Sequence, residues 1–186
     1  MPGLTLIIGN KNYSSWSLRP WILLRHLGLE FTEQQIPLDL ADSAARIRAV
    51  NPAGRVPVLR HGELVIWESI AIGEYLCELA GEGLPTERAA RARARSVSAE
   101  MHAGFHLLRM QWPMNARTLG RRTAMSAALQ DDVTRIDNIW CECRERHGAS
   151  GPWMFGDNSL ADAALQEWLA AAAAEPWFIA GAEVGA

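Results

Sequence analysis

The chain is poor in the residues that build covalent or metal frameworks. Its 186 residues include three cysteines, Cys77, Cys141 and Cys143, an odd set with no CxxC pair and no metal-ligand spacing. Cys141 and Cys143 flank Glu142, so on a helix they point to different sides. A disulfide scaffold and a dithiol redox centre are both argued against, and the thiols are expected to be reduced, as in the cytoplasm. Strong charge is also missing. The 18 basic and 21 acidic side chains leave a formal charge of -3, too little for the field that draws nucleic acid. The longest run of low polarity, Leu165 to Ala174, is interrupted by Gln166 and Glu167 and is too short to span a bilayer. The opening Met1-Pro2-Gly3-Leu4 lacks the basic start and apolar stretch of a secretory leader. The expectation is a cytoplasmic protein with no membrane or nucleic-acid partner.

What is present is ordinary globular composition, 49% hydrophobic and 21% charged, with eight tryptophans to line a core or a pocket. Leu4-Thr5-Leu6-Ile7-Ile8 is apolar and partly β-branched and stops at Gly9-Asn10, which predicts a buried strand. Serines at 14, 15 and 17 then offer helix caps. Leu18, Trp21, Ile22 and Leu24 follow at helical spacing, with Pro20 tolerable in the first turn and Gly28 ending the helix. Phe31 to Leu38 alternates like a second strand, which makes a βαβ unit with parallel strands. A short helix is expected over 41–50. Val56 to Leu59 and Leu64 to Trp67 read as two strands joined by a tight turn at His61-Gly62-Glu63. Ser69 is expected to cap a helix over 70–79, and Gly81 to Pro85 reads as the linker. Everything later has helical periodicity: Glu87 to Met110, about Thr123 to His147, and Ser159 to Ala174. The fold class is therefore α/β first and all-α second, with domains at 1–81 and 88–186. The arginines at 88, 91, 93 and 95 fall at helical spacing, as on a solvated face.

Three stretches can carry chemistry. In Val56-Pro57 a cis bond would turn the Val56 backbone outward, free to pair with an extended peptide; an edge-strand proline is the plainer alternative. In Trp67-Glu68-Ser69-Ile70 the first N–H groups of a helix offer a seat for a carboxylate, with Glu68 beside them for an ammonium. In Tyr13-Ser14-Ser15-Trp16-Ser17 a hydroxyl at a helix start could stabilise a thiolate by hydrogen bonding. The turn has no cysteine, so the sulfur would have to come from a ligand.

Taken together, the stretches over 12–21, 51–59 and 68–72 resemble the cytosolic glutathione S-transferases. The likeness runs through almost all of the first eighty residues. Gly156-Asp157-Asn158-Ser159-Leu160-Ala161-Asp162 is similar to the family's capping box, in which Ser159 and Asp162 satisfy each other's N–H groups. The serine turn looks most like zeta-type and related bacterial members. The resemblance implies a thioredoxin-like domain followed by a helical domain, glutathione as co-substrate, no metal, a small electrophile as second substrate, and a homodimer. It implies Ser14 as the activating hydroxyl with Ser15 as fallback. Val56 would pair with the cysteinyl backbone beside a cis Pro57 and near Arg55, while Glu68 and Ser69 would hold the γ-glutamyl end. The second substrate would lie near His102, Phe105, His106 and Trp112. His102 and His106 are four apart and would share a helix face, but no third ligand joins them to hold a metal.

Two departures bear on activity. Trp16 stands where zeta-type enzymes have cysteine, which weighs against their isomerase chemistry. The helix after Asp162 runs quickly into Leu165 and then to Glu175-Pro176-Trp177, so the helical half is short by about one hairpin against usual element lengths. The expected explanation is that residues are absent between about Asp162 and Leu165. A glutathione transferase or peroxidase is the leading expectation. A glutathione-dependent cis–trans isomerase and a non-catalytic glutathione-binding protein are its rivals.

Overall fold

In the computed structural model the structure describes residues 3–117 and 125–165. The first domain is a four-stranded sheet in the order β2-β1-β3-β4, built from β1 (Leu4–Ile8), β2 (Phe31–Gln35), β3 (Val58–His61) and β4 (Leu64–Trp67). β1 pairs parallel with β2 and antiparallel with β3, and β3 with β4 forms the expected hairpin. Three helices cover the sheet: α1 (Ser15–His26), α2 (Ser43–Val50) and α3 (Ser69–Ala80). The sheet is mixed and thioredoxin-like, and a helical region follows it. β2 is shorter than the alternation suggested, and β3 begins at Val58, not Val56.

The two-residue period of β1 sorts its side chains between two cores. Leu4, Leu6 and Ile8 face Leu23 and Leu24 of α1 and Ile72 and Leu76 of α3. Ile7 faces the other way, toward Ile36, Ile47 of α2 and Val58. The parallel β1–β2 pair needs a covering crossover, and α1 supplies it with a buried stripe that includes Ser17, Arg19, Leu23 and Leu24. Pro20 lies inside that helix at a buried position.

The helical region contains α4 (Arg88–Ala103), α5 (His106–Gln111) and α6 (Ala127–His147), and residues 160–165 are again helical. The single helix expected over 87–110 is broken. Gly104 is extended and Phe105 adopts φ 60°, so the chain turns out of α4 and restarts as α5. A non-glycine residue in this left-handed region is uncommon, and Phe105 is held there by burial of its ring. Glu87 caps α4, its carboxylate accepting from Ala89 N–H at 2.9 Å and Ala90 N–H at 2.6 Å. Of the basic run, Arg93 pairs with Glu142, Arg95 with Glu74, and Arg91 donates to the Pro85 and Thr86 carbonyls. These arginines tie helices and linker together at a solvated face.

The two regions share a core. Leu160 and Ala163 pack with Leu23, Ile72 and Leu76. Ahead of them the Ser159–Asp162 pair differs from the expected reciprocal box. Asp162 Oδ2 accepts from Ser159 N–H at 2.9 Å, but the Ser159 hydroxyl also donates to it at 2.7 Å and caps nothing. Asp162 Oδ1 takes Met154 N–H at 3.1 Å. Burial raises the Asp162 pKa against these stabilising bonds. The helix over 160–165 is continuous; the remainder of the helix expected to 174 and the stretch 175–179 lie outside the described residues.

Candidate functional site

The serine turn joins β1 to α1. Asn10 C=O accepts from Tyr13 N–H at 3.1 Å and Ser14 N–H at 2.8 Å, closing the loop tightly. Ser14 is the N-cap of α1, and its backbone carbonyl accepts from Ser17 and Leu18 N–H. Its side chain makes no capping bond. The hydroxyl donates instead to Ser17 Oγ at 2.8 Å, and that oxygen also accepts Gly9 N–H at 3.1 Å. Ser14 is buried but 8% exposed, whereas Tyr13 is 58% exposed. Ser15 is the first helical residue and is half-buried. Hydroxyls here sit at the positive end of α1, where negative charge is favoured.

Val56–Pro57 is the one cis peptide bond among the described residues, as the resemblance implied, and β3 is an inner strand, not the edge that the plainer alternative required. Val56 stands half-buried outside the ladder, which starts two residues later. Arg55 is exposed, and its carbonyl accepts from Asn51 Nδ2 at 2.8 Å. Arg46 and Arg48 are exposed on α2; a Cβ placed on Gly54 would lie 3.7 Å from Arg48 Cγ, so Arg48 packs beside this loop.

Ser69 is not the cap of α3. Glu68 holds that position at φ 68°, ψ 122°, and its side chain makes no capping bond. Such a backbone costs about 1–3 kcal/mol in a non-glycine residue and is typical of ligand sites. Ser69 is the first helical residue, 4% exposed, and its hydroxyl has no hydrogen-bond partner among the described residues. A buried hydroxyl of this kind beside helix-start N–H groups that no side chain caps suits an anionic acceptor. The residues present therefore suit a ligand carboxylate at this point, with Glu68 available to an ammonium.

The helical region meets this site through His102. Its Nε2 lies 3.5 Å from Glu68 Oε2, and its ring stands edge-on to Trp16 at 5.2 Å. The serine turn and the start of α3 are thus joined through two side-chain contacts. Arg19 and Arg109 both lie over the Trp16 ring, at 4.2 and 4.6 Å. Burial pulls the Arg19 pKa down to about 9. Burial, and then the charge of Arg19, takes Arg109 to about 10. The His102 pKa is lowered by burial first and by Arg19 next, with Glu68 opposing. Sequence reasoning passed over both arginines; the available signal was Arg19 on the apolar stripe of α1, between Leu18 and Pro20.

Other expected second-substrate residues fall elsewhere. His106 begins α5 and is exposed, and the break at Gly104 and Phe105 separates it from the His102 face, so the two imidazoles do not share a helix. Phe105 and Trp112 belong to the core of the helical region with Met101, Leu108 and Ile136. Among the described residues no three His, Cys, Asp or Glu side chains are grouped to hold a metal. No described helix is long and apolar enough to cross a membrane.

A mixed thioredoxin-like sheet, a serine-bearing helix start, a cis proline just ahead of the inner strand β3 and a following helical region match the glutathione transferase architecture. Residues 13–79 match the family described as Glutathione S-transferase, N-terminal domain. The match covers that N-terminal domain, and the fold of the chain is similar to that of solved glutathione transferases. It is 30% identical over 115 residues to a protein named probable maleylacetoacetate isomerase from Caenorhabditis elegans, a match over 59% of this chain and 53% of that protein. The matched stretch thus spans about half of that relative. In structure the chain is similar to a glutathione transferase homologue from Burkholderia with bound glutathione, at TM-score 0.67 and 23% identity, over 98% of this chain and 90% of that one. It is similar as well to an unclassified glutathione S-transferase from Bombyx mori, at TM-score 0.70 and 21% identity, over 90% and 77% of the respective chains.

Proposed function

We propose that the chain binds glutathione beside the Val56 backbone, which stands outside the ladder ahead of β3, and ionises its thiol at Ser14. The observation that carries this reading is the buried Ser69 hydroxyl at the start of α3, without a hydrogen-bond partner among the described residues, next to a Glu68 backbone held in a strained conformation. The γ-glutamyl carboxylate would accept from Ser69 Oγ and the first N–H groups of α3, and its ammonium would meet Glu68. The cysteinyl N–H and C=O would pair with the Val56 C=O and N–H, as a short added strand. The glycyl carboxylate would lie toward the exposed cations Arg55, Arg46 and Arg48. With the tripeptide so fixed, its sulfur reaches the serine turn, where Ser14 donates a hydrogen bond and the α1 N-terminus favours negative charge. The thiolate then attacks a small electrophile, conjugating or reducing it, with proximity supplied by the bound pose. His102 lies on the second-substrate side of this arrangement. Two copies would associate as a homodimer through the apolar β4 edge.

Replacing Ser14 with Ala should lower kcat/KM for a generic aryl halide by roughly ten- to a hundred-fold, the loss of about one to two pKa units of thiolate stabilisation. Ser15→Ala should act weakly. Unchanged turnover in both variants would rule out serine activation.

A second reading, a glutathione-dependent cis–trans isomerase, is favoured by the isomerase-named relative and by two basic groups, Arg19 and Arg109, over Trp16, two residues from Ser14. A dicarboxylate keto acid would need such cations near the sulfur. Turnover of a maleyl-type keto acid faster than any aryl halide would select this reading.

A further inference from the structure

Ser17 is the most buried hydroxyl of the serine turn, 2% exposed. Its Oγ receives Gly9 N–H from the end of β1 and the Ser14 hydroxyl, at 3.1 and 2.8 Å. A hydroxyl oxygen has two lone pairs, so these two donors fill it and leave only its own proton to give. An N-cap serine ordinarily turns its oxygen toward the N–H of the second or third helical residue. Ser14 makes no such bond, and Ser17, which is that third residue, holds it through the side chain. The Ser14 hydroxyl is thereby moored, through Ser17, to the backbone at the end of the central strand.

We propose that Ser17 is a positioning residue of the glutathione site, a buried relay that fixes Ser14 Oγ and then donates to it when Ser14 turns to the sulfur. The inference rests on the serine-activation reading. No proton passes between the serines. The Ser14 O–H rotates from Ser17 Oγ to the thiolate, the Ser17 O–H rotates onto Ser14 Oγ, and the thiol proton leaves to solvent. Gly9 N–H stays on Ser17 throughout and keeps its oxygen in place. Hydrogen bonds in such a chain polarise one another, so Ser14 donates more strongly to sulfur than a lone hydroxyl would.

A threonine–valine pair isolates the hydroxyl. Ser17 lines a small cavity with Ile8, Lys11, Leu18 and Trp21, about 210 Å³, which leaves room for an added methyl. Ser17→Thr keeps the hydroxyl, Ser17→Val has the same shape without it, and Ser17→Ala removes it without added bulk. The ultraviolet absorbance of bound glutathione thiolate is titrated against pH for these variants, wild type and Ser14→Ala, with glutathione affinity measured by calorimetry. The Thr variant should titrate with wild type. The Val and Ala variants should titrate about one unit higher, losing about tenfold in kcat/KM on the acid side and little where the thiol is fully ionised. Identical titrations for Thr and Val, or a loss in Val of equal size at every pH, overturn the relay. A Ser14→Ala shift without a Thr–Val difference sinks the relay alone. An unshifted Ser14→Ala variant, or no glutathione binding by wild type, sinks the serine-activation reading and the relay with it.

Discussion

At the scale of single residues, His102 couples the two domains electrically. It is wedged between Trp16 and Glu68, with the buried Arg19 and the half-buried Arg109 nearby. Its pKa is lowered from 6.5 on folding, so the unfolded chain takes up the proton first. Stability is therefore fully present above about pH 6.5 and falls as pH drops through that value. Thermal melts of wild type against His102→Gln between about pH 5 and 8 should converge at the alkaline end and separate below about 6.5, wild type losing more. Parallel curves across that range would show that His102 is not responsible. Ser14 at the start of α1 was legible in the sequence because a cap residue is marked by its immediate neighbours, whereas the cap of α3 fell on Glu68 and not on Ser69. Arg19, Arg109 and the buried Ser69 hydroxyl were not legible, since their significance comes from what distant segments place around them.

At the scale of elements, α3 depends on a close approach. A Cβ on Gly73 would lie 2.3 Å from Leu160 Cδ1 and 3.6 Å from Leu23 Cδ2. Gly73 is thus the notch through which the helix over 160–165 reaches the first core. Gly73→Ala would gain helix propensity but must displace a buried leucine, and overpacking of this kind costs about 1–3 kcal/mol. A reduced midpoint in urea unfolding, recovered by adding Leu160→Ala, is the expected result; an unchanged midpoint would mean the interface yields freely. The elements themselves were largely readable. β1, the βαβ unit, the β3–β4 hairpin and α3 follow from periodicity and turn residues. The break between α4 and α5 was hidden because residues 87–110 keep a helical spacing throughout. Gly104 carried only a weak hint, and the φ of Phe105 is set by the core that buries its ring.

At the scale of the whole molecule, β4 is an edge strand of the sheet, paired among the described strands with β3 alone. Leu64, Val65 and Trp67 are exposed by 47%, 36% and 48%, an apolar edge that soluble proteins usually cover. If a second copy covers it, sedimentation should give about twice the 20.5 kDa chain mass, and Trp67→Glu should shift the particle toward monomer. A wild-type monomer would refute the homodimer.

The sequence by itself determined the order of the strands and helices from β1 to α3 and the serine-bearing turn between β1 and α1, because local periodicity, turn chemistry and helix-start residues act within a few positions of each other. Only the tertiary structure decided which hydroxyl Ser14 contacts, that Ser69 begins α3 without capping it, and that Trp16 gathers Arg19, Arg109 and His102. Those outcomes depend on burial and on contacts between segments up to about ninety residues apart, and spacing along the chain carries no record of them.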